Sequence, residues 1–259
     1  MNKAQIERTL SSLPLGGFRW FETIGSTNDE ALAWISQGAP DFSLIIAEEQ
    51  TSGRGRMDRK WFTLPNAALA MSLILRPETD ERAHPSRITG LLALSLAESL
   101  LELGLALQIK WPNDVLLNGK KVAGILVEST WTGERLDAFV LGMGVNVFKD
   151  SVPPSERLLF PATSIETELG QKIDRIELLH TILTSVLMWR PRLGTDAFLK
   201  AWDAHLAFRG QQVQVEGRSG GTIVGDLLGL ESDGGLRLRD EHGKSVTVQF
   251  GEVRLRPLA

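Results

Sequence analysis

The chain contains no cysteine, which excludes thiolate nucleophiles, thiolate-bound metals and disulfides together and is compatible with a reducing compartment. Histidine is also scarce, and His84, His180, His205 and His242 lack the spacing of a metal site. No basic-then-apolar segment at the N-terminus marks a secretory signal. The most apolar stretch, residues 88–109, is interrupted by Glu98 and Glu102, so it reads as a buried helix and a strand and not as a membrane span. Repeats and low-complexity tracts are missing as well. An excess of positive charge is absent: the net charge of −4 argues against a surface that holds nucleic acid throughout, while leaving room for a local basic loop. A cytoplasmic protein is expected. Its 259 residues, 42% of them hydrophobic, suffice for a large core, as one domain or as a main domain with a small appendage.

The pattern of apolar residues and turn signals predicts the elements. Thr27 and Glu30 have capping-box spacing, so a helix is expected over 28–37, stopped by Gly38. Strands follow over 44–47 and 67–75, and a helix over 87–103 ends at Gly104. A strand over 105–111 carries Lys110 to its end, and Asn118-Gly119 is a two-residue hairpin signal between 115–117 and the run from Val122. Strands over 125–129 and 136–147 complete a sheet-rich middle. Residues 151–161, with three prolines, read as a mobile loop. Helices are expected over 175–189, with Asp174 and Glu177 as a capping pair, and over 195–205. Beyond Arg209-Gly210 come five short β-like runs separated by glycine-bearing turns, the texture of a small closed barrel. Such a barrel is marginal alone and should lean on the larger part. The expected division is 1–208 and 209–259.

Three segments could carry chemistry. Residues 51–62 (TSGRGRMDRKWF) concentrate Arg54, Arg56, Arg59 and Lys60 around Asp58. As an isolated cluster this would read as a solvated surface run. Gly53 and Gly55, however, let the backbone approach a ligand, and guanidinium holds phosphate or carboxylate through paired hydrogen bonds. Residues 110–114 (KWPND) end a strand with a cation, an amide and a carboxylate; a core tryptophan followed by a plain turn is the alternative. Lys121 lies past the hairpin, and if the hairpin folds back, Lys110 and Lys121 converge from adjacent strands. Two lysines and two arginines around one pocket repel one another unless an anion sits among them, which points to a nucleotide-type ligand. Residues 141–147 (LGMGVNV) lack the third glycine and the following helix of a dinucleotide fingerprint. They read instead as a strand whose glycines admit a flat ligand, with Asn146 placed to bond a base edge.

The order Ser26-Thr27-Asn28, then 48–56 (EEQTSGRGR), 110–114 (KWPND), 121–128 (KVAGILVE) and 142–146 (GMGVN) resembles the catalytic domain of biotin protein ligases. The likeness spans Phe21 to Val147, weakens through the helices, and returns at 251–256 (GEVRLR), which is similar to the closing strand of that family's SH3-like barrel. The resemblance implies an α+β fold, a mixed β-sheet flanked by helices of the biotin/lipoate ligase, class II synthetase-like type, with a small C-terminal SH3-like β-barrel. It implies that biotin is adenylated with ATP and Mg2+ and passed to a lysine of a biotin carboxyl carrier protein domain, by a monomer or homodimer. Neither nucleic acid nor a membrane is expected as partner.

Carried over, Ser26 and Thr27 would bond the ureido ring of biotin, with Asn28 in the same subsite and help from Gln50 and the backbone at Gly53. Arg54 would close over the biotin carboxylate and later the acyl phosphate, and Arg56 would contact the nucleotide phosphates. Lys110 and Lys121 would stabilise charge at the α-phosphate and acyl oxygen. Gly124 would admit the ligand to the sheet, Asn113 and Asn146 would read the adenine, and Trp61 would order the closed loop. Asp114 would position magnesium or accept a proton from the acceptor lysine, and further metal ligands are not assigned. The chain departs from the family at Asp58, where a glycine is frequent, and at Pro65-Asn66-Ala67-Ala68, where a glycine-bearing stretch is common. Larger members carry an N-terminal DNA-binding domain. The residues before Phe21 are too few for one, so transcriptional repression is not expected. Two rival readings are a lipoate or octanoate ligase on the same fold, and a biotin-binding protein without catalysis.

Overall fold

Alternating apolar strands and apolar-faced helices assemble into two sheets joined through one core. The computed structural model describes residues 1–57, 59–62, 64–217, 221–249 and 253–257. Asp58, the 218–220 part of a barrel turn, Phe250 and Gly251-Glu252, all named above, lie outside the described residues.

In chain order the larger part holds α1 (Lys3–Thr9), β1 (Gly17–Ile24), α2 (Thr27–Ser36), β2 (Ser43–Gln50), β3 (Ala68–Leu75), α3 (Thr79–Ala83), α4 (Ile88–Leu101), β4 (Leu107–Lys110) and β5 (Asp114–Leu117). It continues with β6 (Lys120–Thr132), β7 (Arg135–Asn146), α5 (Ile165–Leu169), α6 (Arg175–Trp189) and α7 (Asp196–Ala204). Seven strands form a sheet in the order β1-β2-β3-β7-β6-β5-β4, with β1 parallel to β2 and every other pair antiparallel. This is the mixed sheet that was expected. On one face the apolar side chains of β2, β3 and β7 pack with α1, α4 and α6 in the main core; on the other, α2 covers Ile45, Ile74, Ala138 and Val140.

Local signals act as read at several ends. Asp174 caps α6 by accepting from the N–H groups of Ile176 and Glu177, and Asn118-Gly119 turns β5 into β6 with both φ angles positive. The capping-box reading of Thr27 does not hold. Ser26 occupies the N-cap without a side-chain bond, Thr27 is the first helical residue, and Glu30 pairs with Arg19 at 2.6 Å. Gln50 supplies the missing cap from β2, its Oε1 accepting the Thr27 N–H at 2.8 Å.

The 151–161 stretch is a loop with one short 3-10 turn at Ser155–Arg157, following another at Lys149–Ser151. Its end is tied to β6 by bonds from Lys121 N–H to Pro161 C=O and from Thr163 N–H to Lys121 C=O, at 2.7 and 2.9 Å.

The smaller part holds β8 (Gln212–Gly217), β9 (Thr222–Leu230), β10 (Leu236–Arg239), β11 (Ser245–Val248) and β12 (Val253–Pro257), an antiparallel sheet in the order β11-β10-β9-β8-β12. Its apolar residues Val213, Val215, Leu227, Leu236, Leu238 and Val248 join the main core, so it leans on the larger part as its size requires. No described helix is long and apolar enough to cross a membrane.

Candidate active site

Strand register builds the floor of the site. Ala70 pairs with Gly144 and Gly144 with Gly124, while Ser72 pairs with Gly142 and Gly142 with Leu126. Paired residues share a sheet face, so Ala70, Gly144 and Gly124 form one row of small residues, and Ser72 and Gly142 sit beside Leu126 in the next. The result is a shallow trough. A Cβ at Gly142 would lie 2.1 Å from Asn28 Oδ1, and one at Gly144 would lie 2.2 Å from the Trp61 ring, so both positions need glycine. The flat group lying on Gly144 and Gly124 is the chain's own Trp61 indole, whose Nε1 is buried without a hydrogen-bond partner.

A chain of hydrogen bonds walls one side. Ser72 Oγ lies 2.8 Å from Thr27 Oγ1 and 2.6 Å from Asn28 Oδ1, and Asn28 Nδ2 donates to Glu128 Oε2 at 2.8 Å. Ser72 has one proton, and the Asn28 carbonyl can only accept, so Ser72 donates to Asn28. Gln50 Oε1 accepts from the Thr27 N–H at 2.8 Å and faces the Thr27 hydroxyl at 3.1 Å, so that hydroxyl has both Ser72 and Gln50 within hydrogen-bond reach.

The opposite wall is cationic. Among the described residues, Arg54, Arg56, Arg59, Lys60, Lys110 and Lys121 line the inner cavity with the carboxylate of Asp114, together with Ser26, Thr27, Asn28, Gln50, Asn113, Gly124 and Trp61. An outer cavity of about 810 Å³ shares Gln50, Trp61, Lys110, Asp114 and Lys121 with it and adds Gly53 and Asn146. That volume is in the usual range for a small-molecule site. The cation loop is itself a small hairpin: Arg54 bridges Lys60, Gly55 N–H bonds Arg59 C=O at 2.7 Å, and Trp61 N–H bonds Gly53 C=O at 2.8 Å.

Lys110 and Lys121 do meet in one cavity, but not from adjacent strands, because β5 lies between β4 and β6. Register explains how both reach it. Lys110 pairs with Asp114 and Asp114 with Gly124, which places all three on the trough face. Strict alternation from Gly124 would then turn Lys121 into the main core. An irregularity in the β5–β6 ladder intervenes, Val122 and Ala123 both enter the core, and Lys121 returns to the trough face. Its Nζ sits 2.5 Å from Asp114 Oδ1. Lys110 is 4% exposed, with its Nζ 3.8 Å from the centre of the Phe160 ring.

Three of the expected residues are held by partners within the protein. Arg54 reaches the cavity rim, yet its guanidinium is engaged by Glu128 and Asp29. Asn113 accepts from Arg56 Nη1 at 3.1 Å and donates to Ile125 C=O at 3.0 Å, so in this arrangement it holds Arg56. Asn146 donates to Thr163 C=O at 3.1 Å, while its Oδ1 is buried without a partner. Ser72, Glu128 and Phe160 were not singled out from the sequence. A lone hydroxyl inside the apolar run of β3 was the available signal for Ser72; nothing local marks Phe160.

Comparison with known proteins agrees with this architecture. The biotin/lipoate A/B protein ligase family matches residues 20–146, and the biotin protein ligase C terminal domain matches residues 208–256. The chain is similar to the biotin–[acetyl-CoA-carboxylase] ligase of Paracoccus denitrificans, with 36% identity over 85% of this chain and 93% of that protein. It is also similar to the bifunctional ligase/repressor BirA of Bacillus spizizenii, with 33% identity over 86% of this chain and 69% of that one. Among solved structures, the biotin protein ligase from Aquifex aeolicus in complex with biotin and ATP has a TM-score of 0.80 and 28% identity, covering 93% of this chain and 99% of that chain. Glycine trough, cationic wall and matches along both parts of the sequence lead to one assignment: the chain belongs to the biotin protein ligases, within the biotin/lipoate A/B protein ligase family.

Proposed function

We propose that this chain is an ATP-dependent biotin protein ligase. It activates biotin to biotinyl-5′-AMP and transfers biotin to a specific lysine of a biotin carboxyl carrier protein of acetyl-CoA carboxylase or a related carboxylase. Residues 1–208 are the catalytic domain and 209–259 the small C-terminal domain. The reading rests on one observation: cations from the 51–62 loop, the end of β4 and the start of β6 line a single cavity beside a trough of small residues.

In the first step a biotin carboxylate oxygen attacks the α-phosphorus of ATP, and the bond to the β-phosphate breaks to release pyrophosphate. Arg56, Lys110 and Lys121 offset the charge gathered on the phosphoryl oxygens, in positions fixed before the ligand enters. Thr27, Ser26 and Gln50 hold the ureido ring, with the Thr27 lone pairs accepting a ring N–H. Asn146 offers its unmatched Oδ1 to the adenine amino group. Magnesium fits this donor set. No cluster of three or more acidic or histidine ligands exists among the described residues, and an ion held by one carboxylate with phosphate oxygens and water needs none. Asp114 would hold that ion, which supplies neutralisation of phosphate charge. In the second step the carrier ε-amine attacks the acyl carbon, AMP leaves, and Asp114 accepts the amine proton after pyrophosphate has gone. The closed loop keeps water from the anhydride. Dependence on ATP places the reaction in the cytoplasm.

The decisive experiment incubates the protein with biotin, magnesium-ATP and a biotin carrier domain and weighs the carrier. One biotinyl addition on one lysine is expected. A folded enzyme that leaves the carrier mass unchanged, or that is stabilised by lipoate and not by biotin in thermal unfolding, would overturn the reading.

A further inference from the structure

The loop that carries the arginines has few bonds to the body of the protein. The Arg54–Lys60 bridge, the Gly55–Arg59 bond and the Gly53–Trp61 bond shape it from within but dock it to nothing. Among the described contacts, the loop is tied to the body by the Thr51 and Ser52 N–H bonds to the Ile24 and Gly25 carbonyls, by the Trp61 indole over Gly124 and Gly144, by Arg56 on Asn113, and by Arg54. The Arg54 contact is the most polar of these. Nη1 and Nη2 donate to the two oxygens of Glu128 at 3.0 and 2.6 Å, in fork geometry, and Nη2 reaches Asp29 Oδ1 at 2.7 Å. Glu128 also accepts from Asn28, the last member of the hydrogen-bond chain through Ser72 and Thr27.

We infer that Glu128 is a positioning residue of the ligation: it catches Arg54, holds the loop closed over the cavity, and orients Asn28 with the same carboxylate. The inference rests on the cavity being the acyl-adenylate site. Glu128 outranks Asp29 in this role. Its side chain is 26% exposed where that of Asp29 is 58% exposed, and a paired, less hydrated fork is the stronger contact. Paired with two carboxylates, Arg54 serves closure. A catch of this kind sets how long the activated intermediate is kept, and being partly exposed it weakens as salt rises.

The test forms biotinyl-AMP on the intact enzyme from biotin and magnesium-ATP, then follows its release after a chase with unlabelled biotin. Glu128→Gln, which keeps the shape and removes the charge, is expected to release it about fivefold faster than wild type. Arg54→Gln, which also loses Asp29, should release it at least as fast, and the double variant should be no faster than Arg54→Gln, since the Glu128 contact is already absent there. Asp29→Asn should accelerate release less. Raising salt to about 0.5 M should speed release from the wild type and affect Glu128→Gln less, since only the Asp29 pair is left to screen. Unaltered release in Glu128→Gln, multiplied effects in the double variant, or a salt-insensitive wild type would each overturn the inference. A wild type that releases no pyrophosphate at all would instead remove the reading of the cavity beneath it, and the two failures are told apart by that measurement.

Discussion

Lys121 owes its place to a single irregular rung of the β5–β6 ladder, and its charge is kept ready by Asp114 at 2.5 Å. Removing one fixed electrostatic stabiliser from such a site costs on the order of a hundredfold in rate. Lys121→Ala is therefore expected to slow pyrophosphate release by at least about a hundredfold, and a near-normal rate would reject the role. Ser72 works differently, because it touches the proposed ligand only through others. Its hydroxyl is fully buried and relays between Thr27 and Asn28. Ser72→Ala leaves the Asn28 carbonyl without its donor and the Thr27 hydroxyl with Gln50 as its remaining neighbour, an effect of about 1–3 kcal/mol on stability. Freed, Thr27 turns its proton toward Gln50 or into the cavity, where a ureido N–H needs an acceptor. The expected result is a lower Tm together with a KM for biotin that rises more than kcat falls. Equal loss in both parameters would show that Ser72 serves the fold alone.

At the scale of elements, the hairpin at Asn118-Gly119 delivers Lys121, and Glu168 at the end of α5 secures it. Glu168 accepts from Thr163 Oγ1 and Asn118 Nδ2, each at 2.6 Å, and pairs with Lys120 at 3.4 Å. The bonds from Thr163 and Asn118, then the charge of Lys120, hold its carboxyl below the ordinary value of 4.5. A depressed folded pKa gives stability that is complete above the unfolded value and is lost as pH falls through the folded one. The Tm gap between wild type and Glu168→Gln should thus stay constant at neutral pH and shrink as pH drops below about 4.5, the value of the unfolded carboxyl. A gap that widens in acid would refute the tether. Elements governed by neighbours in sequence were legible beforehand: the glycine hairpin, the Asp174 cap and the apolar runs of β3 and β7 all lie where the residues put them. Features governed by register were not. The rung that turns Lys121, the alignment of Ala70, Gly144 and Gly124 into one row, and the cap that Gln50 lends to α2 need partners far along the chain. For the same reason Thr27 read as a cap, although the partner of Glu30 is Arg19 on another strand. The candidate site residues were legible as types at an order of motifs, while the engagement of Arg54 by Glu128 depends on how β6 passes beneath α2.

For the molecule as a whole, the smaller sheet is attached at the active site and not merely beside it. The turn between β9 and β10 places Gly234 C=O 3.1 Å from Trp111 Nε1, and Arg87, buried between the parts, donates to Ser232 and Leu193 carbonyls. Trp111 is 1% exposed and follows Lys110, so its ring is a core anchor whose polar edge reports on the second sheet. Trp111→Phe keeps most of the packing and removes the indole N–H, leaving a carbonyl of the turn without that donor. A neutral hydrogen bond contributes about 1 kcal/mol, which for a chain of this size corresponds to a fall of about 2–4 °C in Tm. If the smaller sheet also holds the end of β4 in place, the variant loses adenylation rate beyond what the stability change explains, because Lys110 shifts from the α-phosphate. Measured well below Tm, kcat for pyrophosphate release should then fall while KM for biotin, whose contacts lie at α2, stays near the wild-type value. A kcat that survives intact at that temperature would mean that the smaller sheet stabilises the enzyme without shaping its chemistry.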